Sequence, residues 1–85
     1  MVDDEGLRSK ARELIQQGKL PAVTPTRVWG GPGVGAPCSV CTLPVTKEQK
    51  EFDIEFEQAG GAGLDKYHVH IRCFAAWEFE RQERH

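Results

Sequence analysis

Between Glu51 and Glu57 the chain alternates without a break, with Phe52, Ile54 and Phe56 apolar and Glu51, Asp53, Glu55 and Glu57 acidic. A period of two is that of a half-buried β-strand. The acidic set reads as its solvated face, the other reading being a surface that recruits a basic partner. Ala59-Gly60-Gly61-Ala62-Gly63 then predicts a hairpin loop, and Leu64 to Val69 the returning strand, with Tyr67 and Val69 on one face. Nearer the start, Leu7, Ala11, Leu14 and Ile15 recur at i, i+4, i+7 and i+8, one stripe of a short amphipathic helix. Asp3 and Asp4 can cap it, and Gly18 followed by Pro21 stops it. The stripe reads as packing on the rest of the domain, the alternative being a docking helix for a partner or a second copy. From Ile71 to Arg84 there is neither Gly nor Pro, which predicts a second helix with Phe74 and Trp77 on one face. Glu78/Arg81 and Glu80/Arg84 are spaced there for surface ion pairs.

The stretch from Leu20 to Pro37 has no such period. Prolines and glycines punctuate it every few residues, so no regular element is expected. Gly31-x-Gly33-x-x-Ala36 formally matches a dinucleotide-binding fingerprint, but no buried strand precedes it and no βαβ unit fits. Its glycines read as positions of positive φ or of close backbone approach. Trp29 reads as the side chain that pins this loop to the core, with ligand stacking as the alternative. The expected organisation is one domain: an N-terminal helix over 1–19, a Pro/Gly-rich linker over 20–36, and a unit over 37–85.

Eighty-five residues bury about 60% of their unfolded surface, so a chain of this size gains from a metal or a disulfide. Three cysteines cannot all pair within one chain. The acidic start, Met1-Val-Asp-Asp-Glu, has no apolar segment behind it, and no apolar run approaches a membrane span. A cytoplasmic setting with free thiols is expected. With 11 Lys+Arg against 13 Asp+Glu the chain has a formal charge of −2. Non-specific nucleic-acid binding, which needs a basic surface to displace counterions, is disfavoured.

The cysteines fall in two pairs with metal-ligand spacing. Cys38 and Cys41 form C-x2-C; His70 and Cys73 form H-x2-C. Four soft or borderline ligands suit one structural Zn²⁺ in closed tetrahedral coordination. The hairpin brings the two pairs together across the residues between them, and Cys73 falls in the first helical turn, where the dipole favours a thiolate. His68 is the rival fourth ligand; it points the same way as His70, one step further along the strand. His85 is terminal. Buried inert thiols and a redox C-x2-C pair are the competing readings, although no thioredoxin-type βαβ pattern surrounds the pair. No nucleophile–base arrangement is present, so no catalytic residues are assigned.

C-x2-C, a β-hairpin and then H-x2-C-Phe at a helix start resemble the treble-clef zinc fingers, specifically the first half of a LIM domain. The resemblance rests on Cys38, Cys41, His70, Cys73 and Phe74 and covers Pro37 to about Glu80. The gap between the pairs is longer than LIM modules usually have. Ala76 stands where a second LIM module would begin with cysteine, so LIM partner biology does not carry over. Trp29-Gly30-Gly31-Pro32-Gly33 before the first pair and Cys73-Phe-Ala-Ala-Trp77-Glu after it also resemble small bacterial zinc-binding proteins, a likeness that brings no activity with it. The expected fold class is thus α+β: an N-terminal helix, a linker, then a treble-clef-like unit around one zinc ion. The expected function is a non-enzymatic protein-interaction module. A nucleic-acid-binding finger and a thiol redox or metal-handling protein are the alternatives.

Overall fold

The computed structural model describes residues 4–57 and 63–82. It is a small α+β fold of two helices and a three-stranded antiparallel sheet. The elements run α1 (Asp4–Gln16), β1 (Arg27–Pro32), β2 (Lys50–Glu57), β3 (Leu64–His70) and α2 (Ile71–Gln82). Among the described residues, no helix is long and apolar enough to cross a membrane.

The alternation at Phe52, Ile54 and Phe56 is realised in β2, which lies at the centre of the sheet with β1 and β3 antiparallel on either side. Its apolar face and Val69 of β3 lie on α2, where Phe74 meets Phe52 at a tilt with ring centroids 4.6 Å apart. Trp77 meets Phe56 edge-on at 6.0 Å and Phe74 at 5.9 Å. Such aromatic pairs contribute about 0.5–1.5 kcal/mol each beyond the area they bury. On its other side α2 carries α1, whose Leu7, Ala11 and Ile15 are buried. The apolar stripe of α1 is therefore covered by this chain's own helix. Gly18, at φ +75°, ends α1 as expected, and the Trp77 indole N–H donates to the Pro21 carbonyl at 2.8 Å, tying down the chain beyond it.

Four expectations are corrected. The stretch from Leu20 to Pro37 is not wholly irregular: Arg27–Pro32 is an edge strand, paired from Arg27↔Glu55 to Pro32↔Lys50. Its ladder is extended at the ends, where Thr26 N–H donates to the Glu55 carbonyl and Gly33 N–H to that of Gln49. A strand of such low propensity is held by its partner. Trp29 does not pin a loop to the core; it is 53% exposed on β1, with the Arg27 guanidinium 6.0 Å from its ring centroid. The buried indole is that of Trp77. The acidic residues of β2 do not form a solvated face, because Glu51 and Glu55 are buried, Asp53 is half-buried and only Glu57 is exposed. Lastly, Glu80 is no surface residue: it is buried and receives the Arg12 Nε–H from α1 at 2.9 Å. The Glu78–Arg81 pair does form. The hairpin loop expected at Ala59–Gly63 lies outside the described residues except for Gly63, and Asp3, Arg84 and His85 lie outside them too.

Candidate metal centre

Cys38 and Cys41 stand on a tight turn. Thr42 N–H donates to the Cys38 carbonyl at 3.0 Å, Cys38 N–H to the Leu43 carbonyl at 2.8 Å, and Val40 N–H approaches the Cys38 sulfur at 3.4 Å. A backbone N–H directed at sulfur favours the thiolate over the thiol. Thr42 has φ 69°, a left-handed conformation that crowds a β-branched side chain. Val40 within the turn and Val45 just beyond it are fully buried and fix it to the core.

Two glycines bring the preceding segment against this turn. A Cβ on Gly33 would lie 2.2 Å from the Thr46 carbonyl oxygen and 2.4 Å from that of Val45, so only glycine fits there. Gly35, at φ +84°, donates its N–H to the Val45 carbonyl at 2.7 Å. These are the close approach and the positive φ expected of the glycine run. The turn is also joined to β3, since Ser39 N–H donates to the His68 carbonyl at 2.8 Å.

His70 ends β3 and Cys73 lies in the first turn of α2, so both come from one strand-to-helix corner. The structure brings Cys38, Cys41, His70 and Cys73 together, with all four potential ligand atoms within 4.8 Å of one another. His70 Nδ1 is 3.4 Å from the Cys41 sulfur and 4.0 Å from that of Cys73. A tetrahedral ion with metal–sulfur bonds of about 2.3 Å and a metal–nitrogen bond of about 2.05 Å would hold sulfur and nitrogen about 3.6 Å apart. The two distances bracket that value. No disulfide joins the cysteines, and Cys38 and Cys73 are each only 2% exposed. This Cys3His group can hold a metal ion.

The electrostatics point the same way. The Cys38 thiol is pushed down to about 4, chiefly by its hydrogen bond with Cys73 and against the effect of burial. Cys73 is raised by that same contact, by burial and by the neighbouring sulfurs. Cys41 is raised, first by burial and then by Cys38. Three thiols at one point cannot all ionise against one another, whereas a divalent cation reverses that balance and displaces their protons.

Gln49, which the sequence pattern did not single out, completes the site. Its side-chain oxygen lies 3.2 Å from His70 Nε2 and accepts the Thr46 N–H at 3.0 Å. An amide oxygen can only accept, so His70 carries its proton on Nε2 and turns the Nδ1 lone pair toward the sulfurs.

His68, the rival ligand, is directed elsewhere. Its Nδ1 lies 2.7 Å from Glu51 Oε2 and 2.9 Å from Asp53 Oδ1. Glu51 pairs with His70 and Asp53 with His68 on alternate rungs of β2 and β3, and the Glu51 carboxylate reaches diagonally to His68. The polar face of β2 thus carries its own cluster beside the cysteines. The signal was present in the sequence as acidic residues at alternate positions and a histidine on the returning strand.

Comparison of the chain with family models, with curated proteins and with solved structures found no match to any of them.

Proposed function

We propose that this protein is a small zinc-binding interaction module, with one structural Zn²⁺ held by Cys38, Cys41, His70 and Cys73 in a treble-clef-like arrangement. The observation that carries the reading is the closed donor set: four protein ligand atoms within 4.8 Å, two of them on almost fully buried cysteines. Three thiolates and an imidazole match the softness of zinc, and four protein ligands leave no position for a reacting water. The ion then serves folding, by about 10–16 kcal/mol of apparent binding energy at neutral pH in sites of this kind. That exceeds what a core this small contributes, about 3–5 kcal/mol.

Specificity for a partner would lie on the surface. Trp29 is the large side chain best suited to it: an exposed indole on an edge strand, of a residue type enriched where proteins bind one another. The partner is another protein. The overall acidic balance gives no support to a nucleic-acid partner.

Native mass spectrometry before and after chelation, with His70→Ala and His68→Ala alongside, tests the metal reading. One tightly held zinc per chain, lost from the His70 variant and kept by the His68 variant, is expected, together with loss of structure on chelation. Affinity capture with Trp29→Ala as the control tests the interaction reading. A chain that retains no protein, yet shows a hydrolytic activity abolished by chelation, would overturn it.

A further inference from the structure

We propose that Glu51, Asp53 and His68 form a second metal site, distinct from the Cys3His group, which takes a hydrated divalent ion of the manganese, iron or zinc class. The potential ligand atoms of the three side chains lie within 4.8 Å of one another. Glu51 is only 3% exposed, and its Oε1 makes no hydrogen bond, so a carboxylate is held out of water with one oxygen unanswered. A buried polar oxygen without a partner costs about 1–3 kcal/mol, and more when it is charged. Such an atom calls for a ligand.

The cluster does not satisfy itself. His68 Nδ1 can carry one proton, yet Glu51 Oε2 lies 2.7 Å from it and Asp53 Oδ1 2.9 Å. An N–H directed at Glu51 Oε2 leaves Asp53 Oδ1, a buried atom, with no hydrogen bond. Two carboxylates and an imidazole converging around one proton leave an excess of negative charge and free lone pairs. A divalent cation supplies what is missing, because it can accept an electron pair from all three groups at once. Ligands at about 2.1 Å from a metal and at right angles to one another stand about 3.0 Å apart, close to the two distances observed.

The donor set selects the ion. Two hard oxygens and one borderline nitrogen suit manganese, iron or zinc, whereas three thiolates and an imidazole favour zinc over the harder manganese. Asp53 and His68 are only half-buried, so the remaining coordination positions face solvent and carry water. The neighbouring group has four protein ligands; this one has three and stays exchangeable. Alternate rungs of one hairpin would thus carry two sites of different chemistry, with His70 turned toward the sulfurs and His68 toward the carboxylates.

The test titrates Mn²⁺, as the only further metal, into the full chain loaded with a single equivalent of zinc, which the thiolates take up. Manganese stands at the weak end of the divalent affinity order and does not displace zinc from thiolates. Binding is read by calorimetry and by the relaxation of water protons, which responds to Mn²⁺ that keeps water while held on the protein. One saturable Mn²⁺ per chain is expected, weakened at least tenfold by Asp53→Asn and by Glu51→Gln, with zinc content unchanged in each variant. Should Glu51→Gln fail to fold, the half-buried Asp53 position carries the comparison. No saturable binding by the unaltered chain would overturn the proposal. So would binding that Asp53→Asn leaves intact, whether or not the cysteines hold zinc.

Discussion

The contact between Gln49 and His70 offers a sharp test of how the metal group is built. Gln49→Ala removes the oxygen 3.2 Å from His70 Nε2 and leaves every proposed ligand in place. The tautomer with Nδ1 free then loses its bias, and the ring loses one of its restraints. Loss of such a supporting hydrogen bond lowers metal affinity about 10–100-fold. Gln49 is exposed, so water takes over part of its role, as it does for Thr46 N–H, and the expected loss is about tenfold, or about 1.4 kcal/mol. Gln49→Glu should act in the opposite direction. A carboxylate accepts a stronger, charge-assisted hydrogen bond, and affinity is expected to rise a few-fold. Competition against a chromophoric chelator measures both, with circular dichroism to establish that the fold is unchanged. An alanine variant that takes up added zinc as tightly as the unaltered chain would refute the proposal that Nδ1 is the ligating atom. A glutamate variant weakened as much as the alanine one would do the same.

Three further outcomes follow from the packing. Gly33→Ala should destabilise the protein by about 1–3 kcal/mol or more, because its Cβ would overlap the Thr46 and Val45 carbonyls. Gly31→Ala, with open space around its Cβ, should stay within about 0.5 kcal/mol, and equal melting temperatures for the two variants would count against the close approach. Thr42→Gly should raise thermal stability by about 0.5–1 kcal/mol. The left-handed backbone costs a β-branched residue about 1–2 kcal/mol, and the added chain entropy of glycine offsets part of the relief; a lower melting temperature would contradict this. Trp77→Phe removes the N–H that holds Pro21 and should cost about 1–3 kcal/mol in chemical denaturation, without changing the amount of metal the Cys3His group takes up. A simultaneous loss of metal would show that the helix pair and the metal group are not separable.

The elements with strong internal period were legible from the chain alone. Phe52, Ile54 and Phe56 marked β2, and the stripe of Leu7, Ala11 and Ile15 marked α1, because each side chain's face follows from its position in a repeat. The convergence of the Cys3His group was legible for a related reason. Each pair lies within one local corner, so short-range spacing places its two side chains, and an antiparallel hairpin brings the corners together. By contrast β1 was not legible. Gly30, Gly31 and Pro32 have no strand preference of their own, and the strand exists because β2 offers it an unpaired edge.

Period likewise says which residues share a face but not what covers that face. Glu51, Asp53 and Glu55 read as solvated, yet Lys66 reaches Glu55 at 3.5 Å and His68 reaches the other two from across the ladder. Nor could composition tell which tryptophan is buried: Trp77 lies where α2 meets the sheet, while Trp29 stands on a strand with no layer over it. The sequence by itself determined the local repeats and the spacing within each Cys/His pair, since both depend on residues a few positions apart. Only the tertiary structure decided the burial of charge, the role of Gln49 and the divergence of His68 from His70, since each depends on strand register and on contacts between residues distant along the chain.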